Sequence, residues 1–343
     1  MSRHNPTTDA VRLTLAEATL LGESALRALG YDAEQAQAVC DHLVDASACG
    51  YAFAGLPRIL AIAEDKRLAL PRRPLKVVHE TPVSAFIDGG NNVGYYAVYK
   101  GTQAVIAKAK QSGIGLVGVY DAALSGRNAY YMELIAREGL VGLQFSSAWP
   151  VVAPEGGKRP MLGTNPMSAA FPTDKDPMII DLGTAAMMRG ELALRHRLGE
   201  ALPEGVAIDE SGNPTRDAGA ALAGAILTFG GPDRHKGYAL SLMVQAFGVV
   251  AGAAIPHGRA RDYAHLLVAF KPDLLFPADQ FRHHMSQMIA EIKATPTRDG
   301  VEEVRIPSER SFSLREQARR EGVLIDRKVV DALKAMAAGQ KPH

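Results

Sequence analysis

The chemistry this sequence can do begins with a carboxylate at the end of an apolar strand and a lysine at the start of a long apolar helix. Asp181 sits near the end of the run Met178-Ile179-Ile180-Asp181-Leu182. A carboxylate there is buried enough to need a partner, so it either bonds the amides of a helix starting at Thr184 or acts on a ligand. The segment Gly230-Gly231-Pro232-Asp233-Arg234-His235-Lys236-Gly237-Tyr238 places glycines and a cation just before a strong helix. Free amides and the helix dipole favour an anion at such a point, although the same residues suit a solvated loop that caps a core helix. Gly163-Thr164-Asn165-Pro166 is a turn by composition, because Asn-Pro forces extended backbone and Thr or Asn side chains bond locally.

Other chemistries are argued against. Gly113-Ile114-Gly115-Leu116-Val117-Gly118 has the dinucleotide spacing G-x-G-x-x-G. That motif works when the glycines follow a strand and open a helix, and here an Ala- and Lys-rich helix precedes them and a strand follows. The run therefore reads as a helix stop, and a Rossmann domain is not expected. The 10 histidines are scattered without metal-ligand spacing, so no metal site is expected. No Gly-x-Ser-x-Gly elbow marks a serine hydrolase.

The elements that must position these residues follow from periodicity. Apolar residues recur at three and four from Leu13 to Gly30, and Asp32 with Gln35 forms a capping-box start for a second helix. A third helical run near Ile59 to Arg67 ends at Leu70-Pro71-Arg72-Arg73-Pro74, which marks a first boundary. Strand-like and helical runs then alternate. Strands are expected over 76–78, 84–88, 116–120, 141–146, 178–182 and 266–269, with helices over 95–111, 129–138, 184–197 and 277–293. Helix returns over 313–321 and 326–338, and Tyr238 to Ala254 reads as a buried helix too short to span a membrane.

At 343 residues with 47% hydrophobic content, the chain can build two or three packed lobes. Its net charge of +1 supplies no field to draw nucleic acid or an anionic membrane. Cys40 and Cys49 are too few for a disulfide framework, which points to a reducing compartment. The stretch from Met1 to Thr8 is polar and lacks the order of a secretory signal, so a cytoplasmic protein is expected.

Several runs, taken in order, resemble one family. They are Leu162 to Pro166, Ile180 to Ala185 with Arg189-Gly190, Pro203-Glu204-Gly205, Asp209, Gly212 to Thr215, His235 to Tyr238, and Ile306-Pro307-Ser308-Glu309-Arg310. Gly55-Leu56-Pro57-Arg58 and Asp88-Gly89 also fall where these proteins carry similar runs. The family is the type-2 malate/L-lactate dehydrogenases, with ureidoglycolate dehydrogenase and the Δ1-piperideine-2-carboxylate/Δ1-pyrroline-2-carboxylate reductases. The resemblance implies a homodimeric oxidoreductase that uses NADPH or NADH on a small substrate carrying a carboxylate. It implies an α/β fold in which a non-Rossmann, mixed-sheet nucleotide domain (74–305) joins a helical N-terminal domain (1–73). A C-terminal helical segment (306–343) would pack on the latter. It further implies cofactor contacts from Ser125, Gly126, Thr164, Asn165, Asp181, Leu182, Gly183, Lys236, Ser308, Glu309 and Arg310.

The departures from the family pattern are local. Members usually carry Ser-His-Gly followed by Arg-Leu-Pro-Arg, whereas this chain reads Gly50-Tyr51-Ala52-Phe53-Ala54-Gly55-Leu56-Pro57-Arg58. An Asn-His-Phe-Gly loop is replaced by Ala123-Leu124-Ser125-Gly126. The expected catalytic pair is therefore Asp181 with Tyr51, which falls in the histidine slot, and Arg58 or Arg127 is expected to hold the substrate carboxylate. A cyclic imine can be protonated in solution before hydride arrives, so its reduction asks less of the protein than removal of a hydroxyl proton. The leading reading is an NAD(P)H-dependent reductase of a small cyclic imino acid, of the Δ1-piperideine-2-carboxylate or Δ1-pyrroline-2-carboxylate type, or of a 2-oxo acid. The alternatives are a 2-hydroxy-acid dehydrogenase and a catalytically lapsed nucleotide- or metabolite-binding protein.

Overall fold

The computed structural model describes residues 9–340; residues 1–8, with the polar start discussed above, and 341–343 lie outside the described part. A strand, β1 (Ala10–Leu13), leads into two helices whose starts are fixed by side chains. In α1 (Leu15–Ala28) the Thr14 hydroxyl accepts the Glu17 amide while the Glu17 carboxylate takes the Thr14 amide. Asp32 and Gln35 do the same for α2 (Ala33–Ala48), as the spacing predicts. A tight turn follows, then α3 (Arg58–Glu64).

The chain then alternates through β2 (Lys76–Glu80), β3 (Ser84–Val93), α4 (Gly94–Ser112), β4 (Ile114–Ala123), α5 (Ala129–Arg137) and β5 (Val141–Ser147). Next come β6 (Met167–Phe171), β7 (Met178–Leu182), α6 (Arg189–Leu198), β8 (Ala207–Ile208), α7 (Ala218–Ala223) and β9 (Ala225–Ile226). The last part holds α8 (Arg234–Val250), β10 (Ala264–Phe270), α9 (Ala278–Lys293), α10 (Glu309–Glu321), β11 (Val323–Asp326) and α11 (Arg327–Ala337).

Seven strands form one mixed sheet in the order β2-β3-β4-β10-β5-β6-β7. β3 and β4 pair in parallel, whereas β10 lies antiparallel between β4 and β5. That insertion sets the sheet apart from a doubly wound nucleotide fold. Gly113 ends α4 with φ 84° and its amide on the Ala109 carbonyl, so the glycine-rich run is a helix stop.

The two chain ends belong to one core. β1 pairs with β11, and Ala318, Val323, Val330, Leu333 and Met336 pack with Leu26, Val39, Leu43, Leu56 and Ile59. A separate apolar cluster from Val152 to Ile226, including Leu162, Leu192, Leu202 and Ala221, makes a smaller lobe beside the sheet.

Two expectations are corrected, and five strands were not expected. The helix expected from Thr184 begins at Arg189, because the Thr184 amide donates to the Thr164 carbonyl and Ala185 bridges Thr228, which holds 184–188 extended. The helix expected to be buried, α8, packs through Ser241, Val244 and Gly248 but exposes Ala239, Leu242, Met243, Ala246, Val249 and Val250 at helical spacing. The short strands β1, β6, β8, β9 and β11 carry too little alternation to be read from the sequence. Among the described residues no helix is long and apolar enough to cross a membrane.

The join between chain ends can be measured. A Cβ on Gly322, at φ +79°, would meet the Leu13 carbonyl oxygen at 2.3 Å, whereas one on Gly339, at φ +80°, would meet nothing within 4 Å. Gly322→Ala should lower stability to urea by more than about 2 kcal/mol and Gly339→Ala by only about 1 kcal/mol. Equal losses would contradict the packing described.

Candidate active site

β4 and β5 end side by side, with β10 starting between them, and a cavity of about 810 Å³ opens there. Strand ends of this kind expose backbone and short polar side chains to a ligand. Phe53, Ala54 and Arg58 wall the cavity on the helical side, and Met188 to Gly190, Leu192 and Ala193 with Ala221 to Gly224 close it from the smaller lobe.

Its cations differ in their surroundings. Arg67 bridges Asp121 at 3.0 Å and also pairs with Asp262, so its charge is compensated. Arg58 has no carboxylate within 4.0 Å among the described residues. Its neighbours are phenols: Tyr95 is the largest influence holding the guanidinium above the ordinary arginine range, burial opposes it, and Tyr263 and Asp65 act more weakly. Asp65, the carboxylate of the lining, accepts the Arg67 amide at 2.8 Å and the Leu68 amide at 3.2 Å.

Two histidines are fully buried near the cavity, and His265 lines it. His265 Nε2 lies 2.9 Å from the Ala122 carbonyl, so it carries the proton and donates there, which leaves Nδ1 to accept the Ser146 hydroxyl at 2.9 Å. Burial pushes His265 down to about 4, against the Ala122 hydrogen bond. His42 accepts the Arg127 amide at 3.0 Å through Nε2, and its rings' neighbours are Tyr95, Tyr130 and Tyr131 with centroids 4.6–5.1 Å away. Burial pushes it down to about 3, with the Arg127 charge adding to the shift. Gly126, at φ +74°, makes this stacking possible, since a Cβ would lie 2.2 Å from the Tyr95 ring and 2.6 Å from His42 Nε2.

Of the residues singled out from the sequence, Arg58, Ser125, Gly126 and Thr164 line the cavity. Tyr51 does not: its hydroxyl lies 3.5 Å from Ser311 Oγ and Arg127 sits over its ring at 5.6 Å. Arg127 is committed to Asp45. Asp181 bonds neither the Thr184 amide nor the cavity; its carboxylate accepts the Ala129 amide at 2.9 Å and the Ser168 hydroxyl at 2.7 Å, which anchors the start of α5. Burial raises its pKa and those two bonds oppose the rise. Asn165 ties its turn to α8 through the Ser241 carbonyl and Gln245.

The remaining residues do not line the cavity, and several of them lie on or against β7. Gly183 lies against the Thr164 carbonyl, Leu182 is exposed beside it, and the Ser308 hydroxyl donates to the Ile179 carbonyl at 2.9 Å. Glu309 accepts the Ile306 amide and pairs with Lys293, Arg310 is exposed, and Lys236 stands exposed 3.4 Å from Asp233.

The sequence profile of the malate/L-lactate dehydrogenase family matches residues 13–334. This chain belongs to the malate/L-lactate dehydrogenase family. It is 33% identical to a malate/(S)-sulfolactate dehydrogenase of Methanothermus fervidus over 91% of this chain and 93% of that protein. It is equally 33% identical to a Δ1-pyrroline-2-carboxylate/Δ1-piperideine-2-carboxylate reductase of Pseudomonas aeruginosa, over 92% and 96%. The solved malate dehydrogenase of Pyrococcus horikoshii superimposes with a TM-score of 0.86 at 28% identity, covering 100% of this chain and 99% of that one. As a malate/L-lactate dehydrogenase family member the protein is an NAD(P)-dependent oxidoreductase.

Sequence reasoning missed Tyr95, Ser146, His42 and His265. The signal for His265 was a polar residue inside the apolar run Ala264-His265-Leu266-Leu267; for Tyr95 it was a tyrosine pair opening a helix straight after a strand. His42 had no signal, because a histidine on an apolar helix face reads as core.

Both histidines are neutral when folded and take protons when unfolded below about pH 6.5, so their contribution is present above that pH and lost as it falls towards 4. Each should remove about 1.4 kcal/mol of stability per pH unit below 6. Urea unfolding should show a steeper loss in the wild type than in His265→Asn between pH 6 and 4.5. Identical slopes would contradict the neutral burial of His265.

Proposed function

We propose that the protein reduces a small carboxylate-bearing cyclic imino acid or 2-oxo acid with NADPH or NADH. The observation that carries this reading is Arg58, a half-buried guanidinium that faces the cavity without a carboxylate partner. A cation withdrawn from water and left uncompensated favours an anion, and a planar guanidinium holds a carboxylate through two parallel hydrogen bonds. Imine reduction is favoured because a substrate that arrives as its iminium needs neither acid nor base from the protein in the chemical step. His265 has both nitrogens engaged, and Asp65 is bonded to amides.

The residues suit the cofactor. The cavity volume, about 810 Å³, admits a ring and a small substrate together, and Gly126 presents bare backbone at its edge. Ser125, Gly126 and Thr164 would hold the nicotinamide end, with Asp181, Leu182, Gly183, Asn165, Lys236, Ser308, Glu309 and Arg310 on or behind the path leading away along β7. Asp181 would act by fixing the start of α5 and the loop before it, so it shapes the site without touching substrate. The cofactor supplies the hydride. The protein binds the substrate carboxylate on Arg58, and Phe53, Ala54 and the smaller lobe exclude water from the reacting carbon.

In this reading 1–73 and 306–343 work as one helical unit, and 74–305 carries the cofactor. The exposed apolar stripe of α8, from Ala239 through Leu242, Met243, Ala246 and Val249, supports a homodimer. Cys40 and Cys49, buried thiols pushed up to about 12 by burial, support a reducing, cytoplasmic setting.

Arg58→Gln should lower kcat/KM for a carboxylate substrate by roughly 30- to 1000-fold, the loss of a charge-assisted pair, while leaving NAD(P)H affinity within about twofold. Steady-state kinetics and nucleotide fluorescence titration measure the two; an unchanged kcat/KM would remove Arg58 from the site. The double variant Leu242→Glu with Val249→Glu should sediment as a monomer where the wild type sediments as a dimer, and an unchanged profile would exclude α8 as the interface.

A further inference from the structure

Reduction of a carbonyl needs a proton for the oxygen as well as a hydride for the carbon, and neither Tyr51 nor Asp181 reaches the cavity. The lining narrows the choice of donor. Asp65 acts as an acceptor, taking the Arg67 and Leu68 amides on Oδ1. The Nε2 proton of His265 is held by the Ala122 carbonyl, while the Ser146 hydroxyl donates to His265 Nδ1 and accepts from Gln144 at 3.1 Å. The Ser125 hydroxyl has no hydrogen bond from a cation among the described residues. Tyr263 lines the same wall and neighbours Arg58, but Arg67, which two aspartates already neutralise, lies over its ring, and its influence on Arg58 is weaker than that of Tyr95.

Tyr95 differs from all of these. It lines the cavity together with Arg58, the wall cation without a carboxylate partner, and of the groups around that guanidinium it has the strongest electrostatic influence. A guanidinium only donates, so a phenol beside it can offer it only the oxygen lone pairs, which leaves the phenol's own proton for a third group. The ring cannot swing away. Its edge meets His42 at a centroid distance of 4.8 Å, Gly126 closes on it from the other side, and its carbonyl accepts the Tyr131 hydroxyl.

We propose that Tyr95 is the catalytic proton donor to the substrate oxygen, and that Arg58 holds both the substrate carboxylate and the Tyr95 phenol. The proposal rests on the reductase reading above. As hydride adds to the carbonyl carbon, the C=O π pair moves to oxygen, the Tyr95 O–H bond breaks and its proton joins that oxygen. The products are the 2-hydroxy acid, the oxidised nicotinamide and a phenolate beside the Arg58 guanidinium. Solvent reprotonates the phenolate once product leaves. A cyclic imine that arrives as its iminium already carries the proton and needs no donor in this step.

That difference gives the test. Tyr95→Phe keeps the ring and its packing, so its melting temperature should match the wild type. Turnover of a 2-oxo acid such as pyruvate should fall at least about 100-fold, within the usual range for loss of a general acid, and its solvent deuterium isotope effect should change. Turnover of Δ1-piperideine-2-carboxylate under conditions where it is protonated should fall less than about threefold. Calorimetric binding of oxamate to the protein loaded with NADH should stay within about twofold, because the carboxylate sits on Arg58. Equal losses on the two substrates, or a matching loss of oxamate affinity, would show that Tyr95 only positions Arg58 and would overturn the proposal. So would a wild type that reduces the imine but no 2-oxo acid. A wild type that turns over neither substrate would instead sink the reductase reading, and this assignment with it.

Discussion

A guanidinium held partly out of water without a counter-ion is the constraint on which this site turns. Of the other cations that line the cavity, Arg67 is neutralised by Asp121 and Asp262 and Arg189 is exposed to water. Arg58 has two phenols instead. An uncompensated cation of this kind is destabilising in the free protein, and an arriving carboxylate offsets that penalty, so affinity and substrate class come from one electrostatic fact.

The fold serves that constraint from several directions. Arg58 opens α3, whose buried face is shared with the C-terminal helices, so the cation is anchored in a core built from both chain ends. Tyr95 opens α4 just where β3 ends, and α4 is held to the sheet along its length. Asp181 reaches from β7 to the amides of α5, one turn after the loop that carries Ser125 and Gly126. The cross-strand register that places Ser168 opposite Asp181 completes that anchor. The groups proposed to act on substrate thus stand on helix starts at the strand ends, with the loop of Ser125 and Gly126 at the cavity edge.

Much of the frame was legible in the sequence, because capping boxes, glycine stops and alternating runs are local. Thr14 and Glu17 were not singled out, but Asp32, Gln35 and Gly113 were, and they act as the spacing implies. Family resemblance supplied the nonlocal part, and Arg58, Ser125, Gly126 and Thr164 converge on the cavity. What failed was anything set by distant register. Tyr51 looked like the donor from its place in a motif, yet the turn after α2 directs it to α10 and brings Phe53 and Ala54 to the cavity. Arg127 looked free until Asp45, 82 residues earlier, took its charge. His42 and His265 were invisible because burial, not neighbours in sequence, decides their protonation. The stripe on α8 read as core because an apolar helix face alone does not say what covers it.

The central claim is that the substrate carboxylate binds Arg58 in the cavity at the ends of β4 and β5. A crystal structure of the protein with NADH and oxamate tests it most directly. The account requires both carboxylate oxygens of oxamate on the Arg58 guanidinium, with its amide carbonyl towards Tyr95. Oxamate seated on another cation, with Arg58 left bare, would contradict it.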